Sequence, residues 1–161
     1  MPRVPGELHP FVLHFAVALL LMAPLFDVLG LILRREALLL AGRWNTLIGT
    51  FAGVLALLTG LGAEASLGPH SAAGQALLQL HKALGIITVL AWLPIAGWRL
   101  ASKLALPLRA RTLYLAAAIS AAVLLTVETA LGSAMVYRHG VGLSPSARAE
   151  PMLHTPAKTP R

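Results

Sequence analysis

The chain alternates long apolar runs with short polar connections, and each run is long enough to cross a bilayer as a helix. The four runs cover about residues 8–33, 44–65, 75–99 and 112–137. A transmembrane helix needs roughly 20 predominantly apolar residues. The pattern therefore predicts an all-α polytopic membrane protein, an antiparallel four-transmembrane-helix bundle over residues 1–143. Residues 144–161 are rich in proline, alanine and charge, and we expect a disordered extracytoplasmic tail there.

The composition supports a lipid environment. Of the 161 residues, 57% are hydrophobic and only 12% are charged, and the mean hydropathy is +0.77. A soluble domain carries about 25% charged residues. The net charge of +7 does not indicate a nucleic-acid partner, because the basic residues lie at the ends of the apolar runs. Membrane lipids are the expected surroundings, with the basic residues near anionic headgroups.

The distribution of basic residues predicts the orientation. Seven of them flank the connections between runs one and two and between runs three and four: Arg34, Arg35, Arg43, Arg99, Lys103, Arg109 and Arg111. Cytoplasmic loops of membrane proteins carry an excess of lysine and arginine. We therefore expect a multi-pass protein of the bacterial inner membrane with both termini outside the cytoplasm, in the periplasm.

The chain contains no cysteine, which narrows the chemistry that it can perform. Disulfides, thiolate catalysis, covalent c-type haem attachment and cysteine-ligated clusters or zinc sites are excluded. The sequence also has no nucleophile motif, phosphate-binding loop or dinucleotide fingerprint. Metal or redox chemistry would depend on its six histidines, its carboxylates and its four methionines.

Histidines inside or beside the spans are the candidate site residues, because ionisable groups at that depth are costly. Counted at about 1.5 Å per residue from the basic helix ends, His14 lies level with His81, and His9 with His139. Histidines at matched depth on different helices suit a haem iron, which takes axial ligands from two sides. The alternative for each is a neutral interfacial histidine bonded at a helix end. His70 is expected to be a solvated loop residue.

Two carboxylates lie well inside the predicted spans, whereas Glu64 lies at the outer end of the second. For Asp27 we favour pairing with Arg99 or another basic residue at the cytoplasmic end. An isolated charge at the position of Glu128 costs about 2.5–3.5 kcal/mol, so this side chain is predicted to be protonated or paired. Glu128 could relay protons, hydrogen-bond a ligating histidine or make a structural hydrogen bond to Thr59 or another helix. The sequence leaves these alternatives open.

Both ends of this region resemble a known family. The segment His-Pro-Phe-Val-Leu-His-Phe-Ala at residues 9–16 resembles the His-Pro-x-x-Val-His-Phe-Pro opening of the bacterial membrane proteins catalogued as domain of unknown function 2231. The segment Leu-Gly-Ser-Ala-Met-Val-Tyr-Arg-His-Gly-Val-Gly at residues 131–142 resembles the family's closing Gly-Gly-x-Leu-Val-Tyr-Arg-His-Gly-Val-Gly. His81 matches a histidine of the family's third span, and Thr59-Gly60 its second-span Thr-Gly.

The resemblance covers about residues 8–143 and implies a four-span bundle. Some relatives are joined to Rieske-type or c-type cytochrome domains, which implies a place near respiratory electron transfer. The chain departs from the family at Ala16, where proline is usual, and at Ser133-Ala134, where the family has Gly-Glu. No ligand or proton role is therefore carried over to position 134.

From these observations we expect a membrane-embedded b-type haem protein of electron transfer, with haem b as its cofactor. His14 and His81 are the predicted axial pair, and His9 and His139 form a second pair or support the first. Arg138 is predicted to bind a haem propionate through its guanidinium fork. The expected redox partner is a periplasmic electron carrier or a quinol.

Other readings of the same sequence stay open. The chain could be a non-redox accessory subunit of a membrane oxidoreductase complex, or a copper- or zinc-binding membrane protein, since imidazole suits all of these metals. A small transporter with Asp27 and Glu128 on its path is a further alternative. The sequence favours an electron-transfer or accessory subunit over a stand-alone enzyme, and it predicts further membrane subunits or a second copy as neighbours.

Overall fold

The computed structural model describes residues 5–64, 67–68, 71–102 and 110–143, and this part of the chain forms four helices. They are α1 (Pro5–Ile32), α2 (Glu36–Glu64), α3 (Ala72–Ala101) and α4 (Arg111–His139). All four are long and apolar enough to span a membrane. The predicted four-span helical bundle is confirmed, while its orientation stays a prediction. The proposed tail and His70 lie outside the described residues.

Local sequence signals explain several helix ends. Ser71 caps α3, because its hydroxyl accepts a hydrogen bond from the backbone N–H of Gly74 at 3.1 Å. Gly140 ends α4 with a φ of 62°, a left-handed conformation that glycine adopts without a steric cost. α1 begins at Pro5, so His9 lies within the helix rather than at its cap.

Within the described residues the helices form a square. α1 and α3 each pack against both α2 and α4, whereas the backbones of the diagonal pairs α1–α3 and α2–α4 do not approach each other closely. Small residues bring α1 and α2 close together, as expected for helices in lipid. At Gly49, for example, a Cβ atom would lie 2.8 Å from Cδ2 of Leu20.

The second hairpin repeats the burial pattern of the first. Arg99 lies 72 residues after Asp27, and the same offset relates buried positions throughout the two hairpins. Between α1 and α3 the related pairs are Ala16 and Thr88, Leu20 and Trp92, Ala23 and Ile95, and Asp27 and Arg99. Between α2 and α4 they are Gly42 and Tyr114, Thr46 and Ala118, Gly49 and Ala121, Thr50 and Ala122, and Ala56 and Glu128. The bundle is therefore a parallel repeat of two hairpins, an arrangement that some membrane transporters share.

One end of the bundle, here called the ion-pair end, is closed by a buried polar network. Arg99 Nη2 donates to Asp27 Oδ1 at 2.5 Å, and the Tyr114 hydroxyl donates to Asp27 Oδ2 at 2.8 Å. The side chains of Asp27 and Arg99 are completely buried. The predicted pairing of Asp27 with Arg99 is confirmed.

The apolar core lies next to this network and continues to the middle of the bundle. Its buried members include Leu20, Trp92, Ile95 and Leu125. Large apolar side chains on the outer surface are exposed, among them Phe51 at 65%. Such a surface is suited to lipid. The opposite end of the bundle is called the histidine end, because it carries His9 and His81.

Candidate functional site

A cavity of about 820 Å³ lies between the two hairpins at the histidine end, and all four helices line it. Small-molecule and cofactor sites have volumes of about 300–1,000 Å³ and mostly apolar walls. The walls here are mostly apolar too, with Leu13, Ala16, Leu57, Val89 and Leu125 among the lining residues. The volume and the lining therefore suit an organic cofactor or a lipophilic ligand.

His9 enters this cavity from α1. Its Nδ1 donates to the main-chain oxygen of Ala56 on α2 at 2.8 Å. Gly60 leaves room for the ring, since a Cβ atom at that position would lie 2.9 Å from His9 Cε1. A carbonyl oxygen can only accept, so Nδ1 carries the proton and the neutral ring has its lone pair on Nε2. No described residue makes a hydrogen bond to that Nε2 atom.

His81 enters the cavity from α3 in the same way. Its Nδ1 lies 3.2 Å from the main-chain oxygen of Glu128 on α4, and a Cβ atom at Gly132 would lie 2.9 Å from its Cε1. In both hairpins the accepting carbonyl follows the histidine by 47 residues. The structure thus builds one histidine–carbonyl–glycine motif twice and turns both copies toward one cavity.

Glu128 distinguishes the two copies. Its side chain is buried, and Oε1 lies 3.1 Å from His81 Nδ1, whereas the related position in the first hairpin is Ala56. A carboxylate on the Nδ1 side makes an imidazole more basic at Nε2. The structure brings Glu128 to a histidine and not to Thr59, whose hydroxyl donates to Leu55 O and Ala56 O in its own helix.

The other predicted site residues lie elsewhere. His14 is exposed, does not line the cavity, and its Nδ1 donates to the carbonyl of Pro10 in the same helix at 2.5 Å. Arg138 is exposed and His139 is half-buried, with its Cβ beside Gly74, and neither lines the cavity. Of the four predicted histidines, the structure places only His9 and His81 in the cavity.

The sequence places His14 level with His81, whereas the structure relates His81 to His9, and this difference has a physical reason. The prediction counts the depth of His81 from Arg99 and assumes that Arg99 lies at the cytoplasmic surface. Arg99 is instead buried beside Asp27. Asp27 lies about two helical turns closer to the middle of the bundle than Arg34, the residue from which depths in α1 are counted. When depths are counted from Asp27 in α1 and from Arg99 in α3, His9 and His81 lie at the same level.

The mouth of the cavity carries a charged cluster that the sequence analysis did not assign to the site. Lys82 Nζ donates to both carboxylate oxygens of Glu64, at 2.8 and 2.9 Å, and Gln79 donates to the same group at 3.3 Å. Lys82 and Glu64 line the cavity. Lys82 therefore places a positive charge, paired with Glu64, at the mouth of the cavity.

At its deep end the cavity carries three polar groups that also escaped the sequence analysis. Thr50, Thr88 and Trp92 line the cavity, and we call this set the cavity floor. Their side chains are buried, at 5%, 4% and 1% exposure. Thr50 Oγ1, Thr88 Oγ1 and Trp92 Nε1 have no hydrogen-bond partner among the described residues.

Fold and cavity together define a multi-pass membrane protein in which two related hairpins each contribute a histidine to a shared central cavity. The family model described as "Predicted membrane protein (DUF2231)" matches residues 5–145, and the chain belongs to that family. The resemblance of the two end motifs is thereby confirmed. No curated protein and no solved structure matches the chain.

Proposed function

We propose that this protein is a membrane-embedded electron-transfer protein that binds a b-type haem between its two hairpins. The axial ligands are His9 and His81, in place of the His14–His81 pair that the sequence favoured. The observation that supports this is the repeated motif: two imidazoles, one per hairpin, each bonded through Nδ1 and free at Nε2, line one cavity of about 820 Å³.

The ligand set fits a haem better than a single metal ion. The described residues contain no group of three or more histidine, aspartate, glutamate or cysteine side chains that could hold an ion. Copper and zinc sites built from protein need three or four such ligands, whereas a haem needs only two axial ones. A bound haem would supply one-electron redox chemistry at its iron.

The surrounding residues prepare the two histidines for ligation. The carbonyls of Ala56 and Glu128 fix the tautomer, and the missing side chains of Gly60 and Gly132 give each ring its place. The Glu128 carboxylate strengthens His81 as a donor and provides an acceptor for a proton beside the redox centre. Lys82 lines the cavity and would be available to pair with a cofactor carboxylate in place of Glu64.

In this proposal the histidine end faces the periplasm of a bacterial inner membrane, as the basic residues of the loops predict. The electron partner is then a periplasmic carrier or a membrane quinol. An accessory subunit of a larger oxidoreductase is the second candidate, which the sequence leaves open.

The proposal predicts a reducible b-type visible spectrum for the full-length protein purified in detergent. His9→Ala and His81→Ala should each remove most of the bound haem, because each eliminates one axial ligand. His14→Ala should retain the wild-type spectrum, since His14 lies outside the cavity. Size-exclusion chromatography of every variant shows whether the fold is intact.

Three outcomes would overturn the proposal or its ligand assignment. A colourless protein with stoichiometric copper or zinc would favour the small-metal alternative. A colourless, metal-free protein that co-purifies with an oxidoreductase would favour the accessory subunit. Loss of haem in His14→Ala, but not in His9→Ala, would restore the pair predicted from the sequence.

A further inference from the structure

The cavity floor consists of polar groups that the fold leaves without partners. Thr50 Oγ1, Thr88 Oγ1 and Trp92 Nε1 are buried, line the cavity and lack a hydrogen bond within the described part of the chain. A buried group without a partner costs about 1–3 kcal/mol. Three such groups at one place indicate that something else satisfies them.

Other helical threonines show that this arrangement is not required by the helices. Thr46, Thr59, Thr126 and Thr129 each donate their hydroxyl hydrogen to a carbonyl four residues earlier in their own helix, at 2.9–3.0 Å. This is the usual solution for a threonine inside a membrane helix. Thr50 and Thr88 do not adopt it, and their hydroxyls stay available to the cavity.

The repeat shows that packing does not require these polar groups either. The related positions in the other hairpin are Ala122 for Thr50, Ala16 for Thr88 and Leu20 for Trp92. These residues are buried and apolar. At each of these three related pairs an apolar residue fills the position in one hairpin, while the polar residue of the pair lies on α2 or α3.

The floor is also separate from the histidines. Along α3, Thr88 lies seven residues and Trp92 eleven residues beyond His81, or roughly 10 and 16 Å at the rise of a helix. The cavity thus has two polar levels, and Glu128 lies between them, with its Oε1 3.7 Å from the place of a Cβ atom at Gly85. A ligand of the floor need not touch either imidazole.

We infer that the cavity floor binds a quinone. The carbonyl oxygens of this lipophilic molecule would accept hydrogen bonds from the floor. Trp92 Nε1 can only donate, so its partner must be an acceptor, and the two hydroxyls can donate as well. The apolar walls exclude strongly charged ligands.

Only the role of the ligand rests on the proposed function: the quinone would be the membrane-soluble redox partner of the haem site. The binding itself depends on the floor and the walls. It can therefore be tested without haem.

The test is a titration of the full-length protein in nanodiscs with a short-chain benzoquinone, with bound ligand measured by equilibrium dialysis. We expect saturable binding in the wild type. Thr88→Val, Thr50→Val and Trp92→Phe should each weaken it about 5- to 10-fold, the usual effect of losing one neutral hydrogen bond. An alkylbenzene of the same size lacks the carbonyls. It should bind weakly, and its affinity should be about the same for the wild type and for these variants.

Thr126→Val is the matched control, because its hydroxyl donates to the Ala122 carbonyl and it lines a shallow outer groove rather than the cavity. It should bind as the wild type does. Non-saturable uptake, or equal affinity in the floor variants and Thr126→Val, would overturn the inference and leave ordered water as the floor's partner. Quinone binding by a protein without a haem spectrum would leave the inference standing and remove the proposed function.

Discussion

At the scale of single residues, the most strongly constrained groups are Asp27 and Arg99. Both are completely buried, and their neighbours supply Tyr114 and the Leu39 carbonyl as further partners. Removing one member of a buried ion pair leaves an uncompensated charge, which costs far more than the intact pair contributes. This pair fixes the register of α1 against α3 through a region where the helices otherwise meet through apolar side chains.

We predict that Asp27→Ala or Arg99→Met lowers the free energy of unfolding by about 3–5 kcal/mol. Glu64→Gln should change it by less than about 1 kcal/mol, because its ion pair with Lys82 is partly exposed at the cavity mouth. Unfolding in mixed detergent micelles, followed by circular dichroism, gives both values. Equal losses for the buried and the exposed pair would contradict the argument.

The sequence allowed some residues of the site to be predicted and not others. Asp27 and Arg99 were paired correctly, since opposite charges at one end of a membrane bundle must meet. His9 was assigned a secondary role because the level of His81 was judged from Arg99, which proved to be buried. Thr50 was not recognised at all, because nothing in its local sequence distinguishes a free hydroxyl from the back-bonded one of Thr46.

At the scale of helices, glycines determine where the imidazoles lie. A Cβ atom at Gly60 or Gly132 would lie 2.9 Å from the Cε1 atom of His9 or His81. The number and type of the helices could be predicted from apolar length alone. The pairing of each glycine with a histidine on the partner helix could not, because it depends on the rotation of one helix against another.

Gly60→Ala and Gly132→Ala should each displace a ring and lengthen its Nδ1 contact with the carbonyl, costing about 1–3 kcal/mol through overpacking. Gly97→Ala is the control, since a Cβ atom there meets nothing within 4 Å, and alanine favours the helix by roughly 0.5–1 kcal/mol. Thermal unfolding in detergent measures the three changes. A stabilised Gly60→Ala variant would show that the ring does not occupy this place.

At the scale of the whole molecule, the four helices and their spans were predicted from the sequence, while the internal repeat was not noticed. Few residues are identical between the hairpins, and the likeness lies in which positions are buried. His9 and His81, with Gly60 and Gly132, are the shared residues that could have revealed it. Without them, burial can be compared only after the helices have been placed in space.

The orientation of the bundle in the membrane is also a prediction about the whole molecule. Because the chain contains no cysteine, single cysteines can be introduced to test this orientation. Ala37→Cys and Ala73→Cys introduce thiols at exposed positions near opposite ends of the bundle. In intact bacterial cells, a membrane-impermeant maleimide should label position 73 at once and position 37 only after permeabilisation. The reverse labelling would place the histidine end in the cytoplasm.

The two members of the buried ion pair occupy related places in the repeat, and this limits how the hairpins can assemble. Two copies of the first hairpin would bring two carboxylates face to face, and two copies of the second would bring two guanidinium groups together. Like charges without water between them repel strongly. Only a first half joined with a second half is neutral at its centre, so a symmetric pair of identical hairpins is not open to this sequence.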